Sequence, residues 1–86
     1  MVTREDLAAR LKDYLHHRLN IEDLVDWAEE AMREEEFEEA HFEKLRDVIS
    51  HLGLADVRAF GLTWADCEKM LESLGYRVNI DISKAG

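Results

Sequence analysis

Apolar residues recur along most of the chain at intervals of three and four, and strict alternation replaces that period only near the end. Leu7, Leu11, Tyr14, Leu15 and Arg18 share one helical face, which predicts a first helix over about 4–19. Thr3 stands three residues ahead of Asp6 as an N-cap in a variant of the capping box, and Val2 and Leu7 have the spacing of a hydrophobic staple. The same signal returns at Asn20, with Asp23 as the box partner and Leu19 and Leu24 as the staple. It opens a second helix over about 21–33, and so short a corner predicts a tight helical hairpin or a sharp bend. In this helix Leu24, Val25, Trp27, Ala28, Ala31 and Met32 fall on one side; Glu22, Asp23, Asp26, Glu29, Glu30 and Arg33 fall on the other.

After the self-repelling run Glu34-Glu35-Glu36, a third helix over about 37–52 turns Phe42, Leu45, Val48, Ile49 and Leu52 inward. Gly53 ends it, and Leu54 is spaced to contact Ile49 as in a Schellman cap. Residues 56–60 fit either one helical turn or a short strand, closed by Gly61. Thr63 with Asp66 is the third start signal, for a fourth helix over about 64–74 that buries Cys67, Met70, Leu71 and Leu74 and stops at Gly75. Tyr76, Val78, Ile80 and Ile82 then alternate with polar residues, which predicts a half-buried strand over about 76–82. Such a strand must pair with residues 56–60, with a second copy, or with another protein. The expected fold is therefore predominantly all-α: a single domain, 1–86, of four helices with a short C-terminal strand. The alternative is an α+β unit in which strands 56–60 and 76–82 flank the fourth helix.

The chain's 86 residues suit one domain, and an apolar fraction of 47% supplies a packed core. Twenty acids against eleven bases give a net charge of −9, which argues against a nucleic-acid binder, because that function needs cationic surface. No apolar run reaches the roughly 20 residues of a membrane span, and residues near Met1 show no apolar h-region of the kind a signal peptide has. The lone Cys67 excludes an intramolecular disulfide and a cysteine zinc cluster, so a reduced, cytoplasmic protein is expected.

The charge is unevenly spread. Residues 22–43 hold eleven acids and one base, Arg33, so this stretch carries −10 against −9 for the whole chain and leaves the rest at +1. A face of this kind, with Asp26, Glu29, Glu30, Glu34, Glu35, Glu36 and Glu39 as its candidate partner-binding residues, attracts basic proteins by long-range steering. The plainer alternative is a solvated helix face that aids solubility. Asp13-x-x-His16 and Glu38-x-x-His41 have the carboxylate-x-x-His spacing of di-metal bundles, but the first pair points to solvent and the second lacks a matching pair. No metal or other cofactor is expected. Cys67 lies on an apolar face with no histidine near it in sequence, which reads as core. There is no phosphate-binding glycine loop and no serine motif, and no enzymatic activity is expected. Trp27 and Trp64 fit core or interface anchors better than ligand-stacking residues.

The segment Leu11-Lys12-Asp13-Tyr14-Leu15 through Asn20-Ile21-Glu22-Asp23-Leu24-Val25-Asp26-Trp27-Ala28 resembles the first helical hairpin of small acidic bacterial immunity proteins, nearest the colicin D immunity group. The resemblance covers about 20 residues and implies an acidic helical bundle that occludes a basic nuclease toxin. The leading functional expectation is accordingly a non-enzymatic module that covers a basic protein partner, as an immunity factor or antitoxin does. A homo-oligomer or homodimer paired through the interface strand Tyr76, Val78, Ile80 and Ile82 is the second, and a metal-dependent enzyme using Glu38 and His41 the third.

Overall fold

The computed structural model describes residues 1–34 and 36–78, and the chain so described is predominantly helical. Helix α1 spans Arg4–Leu15 and begins with the full capping box: Thr3 Oγ1 accepts from the Asp6 N–H at 3.1 Å, and Asp6 Oδ2 accepts from the Thr3 N–H at 3.0 Å. It stops four residues short of the expected Leu19. His17 takes φ 60°, and the Arg18 and His17 N–H groups donate back to Asp13 and Tyr14 carbonyls. This is a Schellman ending with a histidine in the left-handed position where glycine is usual, so the sequence carries no stop signal there.

Helix α2, Ile21–Glu34, opens on Asn20, whose Oδ1 accepts from the Asp23 N–H at 2.8 Å. Phe37 was expected to begin the third helix, but its backbone is extended and bridges Val2 in parallel. The Val2 N–H donates to Glu36 at 2.6 Å, and the Glu38 N–H donates to Val2 at 2.9 Å. The buried Phe37 ring meets Phe42 edge-on with centroids 5.7 Å apart. Only after a 3₁₀ turn, Glu39–His41, does α3 run from Phe42 to Leu52.

The expected Schellman cap at Gly53 does not form. Gly53 keeps a right-handed φ of −81°, and the chain passes through Leu54 directly into a further helix, α4, Ala55–Phe60. The strand alternative for residues 56–60, and with it the α+β arrangement, is thereby overturned: Val57 is buried as a helical residue, and Gly61, at φ 76°, closes the turn by donating to the Val57 carbonyl. The described chain thus holds five α-helices where four were expected. Helix α5, Trp64–Ser73, repeats the capping box with Thr63 and Asp66. Its Schellman ending is built at Gly75, φ 92°, with the Tyr76 N–H on the Leu71 carbonyl and the Gly75 N–H on that of Glu72, both at 3.0 Å.

Tyr76 and Val78, expected in a strand, lie in irregular backbone and pack partly buried against the core, while Ile80 and Ile82 fall outside the described residues. The expected pairing of this segment with 56–60 is lost with the helical assignment of the latter.

Helix α2 lies mainly on α3 and also touches α4, while α1 lies between α2 and α5. Leu7, Leu11, Leu24, Leu45, Ile49, Leu52 and Cys67 are fully enclosed in the resulting core, and no polar side chain is buried among the described residues. Tyr14 reaches from α1 to the α4–α5 link, where its hydroxyl accepts from the Leu62 N–H at 3.1 Å and donates to the Leu62 carbonyl at 3.4 Å. Tyr14→Phe removes both bonds and should cost about 1–2 kcal/mol in urea denaturation. A loss indistinguishable from zero would mean that water replaces the phenol without penalty.

Candidate functional site

Helix α2 carries Asp26, Glu29, Glu30 and Glu34 on the side turned away from its core stripe, and all four are exposed. The structure divides them. Arg58, supplied by α4, places Nη2 2.9 Å from Asp26 Oδ1 and 3.4 Å from Glu29 Oε1. The Asp26 hydrogen bond is the larger cause of a raised Arg58 pKa, with Glu29 adding to it. All three side chains remain substantially exposed, so these pairs contribute little stability and can be exchanged for an incoming cation. Glu30, Glu34 and Glu39 make no ion pair among the described residues; Glu36 stands 3.9 Å from the Met1 ammonium, and Glu35 lies outside the described residues.

The link into α3 carries an apolar element beside further carboxylates. Phe42 is 38% exposed in an open cleft that it lines with Glu39, Ala40, His41, Glu43 and Lys44. Its ring packs edge-on against Phe37, so a partly wet aromatic side chain sits beside Glu39 and Glu43, with His41 and Lys44 on the same cleft. Leu54, just ahead of α4, and Phe60, at its end, are also exposed, Phe60 to 87%.

The metal-like spacings are used otherwise. Glu38 Oε1 accepts from the Arg4 N–H at 2.9 Å and so serves the start of α1, and Asp13 lies 3.8 Å from Arg18. Among the described residues no three His, Cys, Asp or Glu side chains converge as metal ligands. Burial pushes the Cys67 thiol up to about 11, which keeps it protonated at neutral pH. Asp66 is held below its ordinary value by the Thr63 backbone and side-chain hydrogen bonds of the capping box. A lowered carboxyl contributes its stability fully above the unfolded value and loses it as pH falls through the folded one, so the start of α5 weakens only in acid.

A second feature lies around α1 and α5, and sequence reasoning missed it. Trp64 shares a helical face with Cys67 and Leu71, and of the two expected roles, core or interface anchor, core does not hold: it is 45% exposed and lines two clefts. One, of about 680 Å³, reaches Tyr14, Arg18 and Leu62; the other, of about 440 Å³, runs over Ala8, Leu15, Leu71, Tyr76 and Val78. Trp27 is only half-buried, with the Arg10 guanidinium 5.3 Å from its ring centroid. Among the described residues no helix is long and apolar enough to cross a membrane.

Comparison with protein-family models, with curated proteins and with solved structures returns no match.

Proposed function

We propose that this chain is a non-enzymatic binding module whose α2–α3 face covers a basic protein surface and blocks it by occlusion, in the manner of an immunity protein or antitoxin. The observation that carries this reading is the half-exposed Phe42 set between Glu39 and Glu43 in the most acidic stretch of the chain. Association hot spots combine an apolar anchor with charges that steer and register the partner, and this face holds both. Glu30, Glu34 and Glu39 supply the field, and Asp26 and Glu29 add to it when a partner cation displaces Arg58. The resemblance of residues 11–28 to the first hairpin of immunity proteins points in the same direction.

Affinity capture from cells that express the chain tests the proposal at low ionic strength. The native chain should retain a basic protein; a Glu30→Lys/Glu34→Lys chain should fold normally, since exposed charges contribute little stability, and retain at least about tenfold less. Phe42→Ala should weaken retention at high salt, where steering is screened. Equal capture by native and charge-reversed chains would remove the acidic face from the mechanism.

A further inference from the structure

The cleft between α1 and α5 has the opposite electrical character from the α2–α3 face. Its floor is apolar, with Ala8, Leu15, Trp64, Leu71 and Val78, and the small Ala8 and Ala9 let a guest approach the α1 backbone. Its edge carries Lys12 and Arg77 as well as His16, all exposed, and neither cation is in an ion pair among the described residues. Glu5 is the one carboxylate lining it, and it stands 3.7 Å from Arg4 Nε, which offsets its charge. Arg4 is itself fixed over the Tyr76 ring at 5.4 Å and on the Leu74 carbonyl at 3.1 Å. A chain of net charge −9 therefore places two unpaired cations, Lys12 and Arg77, at the edge of one apolar groove.

We propose that this groove docks an acidic amphipathic helix from a partner protein, its apolar stripe on Trp64, Leu15 and Leu71 and its carboxylates against Lys12 and Arg77. Two helices, α1 and α5, line the groove with apolar residues between them, which suits the helix-in-groove mode, in which anchors spaced i, i+3, i+4 and i+7 enter the groove. Charge complementarity selects the guest: a basic helix would meet two unpaired cations, whereas an acidic one neutralises them. The site is separate from the α2–α3 face, so the chain could hold a basic protein on one side and an acidic segment on the other.

The test uses a fluorescein-labelled helical peptide of about 14 residues, built of leucine and glutamate with leucines at that spacing, and its leucine–lysine counterpart. Anisotropy should show saturable binding of the glutamate peptide to the full chain, and amide exchange should slow in α1 and α5. Lys12→Glu with Arg77→Glu should weaken binding by at least about tenfold, and Trp64→Ala, with the rim intact, should do likewise. The proposal is overturned if the lysine peptide binds as tightly, if the glutamate peptide does not bind, or if protection falls on α2 and α3. It is overturned also if truncation after Val78 tightens binding tenfold, which would make residues 79–86 the occupant. Self-association abolished by the same charge reversal would make the occupant a second copy and equally defeat it.

Discussion

A Leu11→Ala chain should lose about 2–5 kcal/mol of folding free energy and be largely unfolded at temperatures where the native chain is intact. Leu11 is fully enclosed in the core, and its helix α1 packs on both α2 and α5. Removing it costs the transfer energy of the lost carbons together with the cavity left behind, and three helices anchored by caps and turns cannot all close inward. A domain of this size has roughly 4–13 kcal/mol in total, so the loss is a large part of the whole. Urea denaturation followed by circular dichroism measures it; a loss below about 1 kcal/mol would mean that the core collapses around the smaller side chain.

The second large effect is expected at Gly75, and its contrast with Gly53 makes it diagnostic. Gly75 has φ 92°, and a Cβ there would lie 2.9 Å from Arg4 Nη1. Gly75→Ala therefore carries the left-handed penalty of about 1–2 kcal/mol. The Arg4 guanidinium, at the end of a flexible side chain, shifts to make room and adds little, so the total stays at about 1–2 kcal/mol. Gly53 has a right-handed φ, and its added Cβ would meet only carbonyl oxygens at 3.6 and 3.9 Å. Gly53→Ala should be neutral or stabilising by up to about 1 kcal/mol. Equal losses at the two positions in thermal or urea unfolding would contradict this assignment of the two helix ends.

The same two glycines mark where the sequence could be read and where it could not. Thr3, Asn20 and Thr63 were legible as helix starts because a cap is a local bond between residues three apart. The buried stripes of α2, α3 and α5 were legible because their period is enforced by one long contact surface each. Helix ends were harder, since the left-handed residue that closes α1 is His17 while Gly53 closes nothing by that device. Phe37 was misplaced because its role is set by Val2, distant in sequence, and residues 55–60 because six residues are too few for a period to declare itself. At the candidate site the exposed acids followed from helical geometry, but their pairing with Arg58 depends on how α4 lies against α2. The cationic rim of the α1–α5 cleft joins residues from three segments and has no signature in any one of them.

The bridge between Val2 and Phe37 turns the first two helices into a closed ring. Their corner joins them at one end, and the backbone bonds of Val2 to Glu36 and Glu38 join them at the other. Helix α1 is thus tied down at both termini and cannot peel away by fraying from the chain start, as an unanchored first helix does. Its release requires the α2–α3 link to let go as well, which exposes Phe37 and the edge of the core beneath it. Opening at this end of the protein therefore breaks the Val2 bridge and uncovers Phe37, the residue that backs Phe42 in the link into α3.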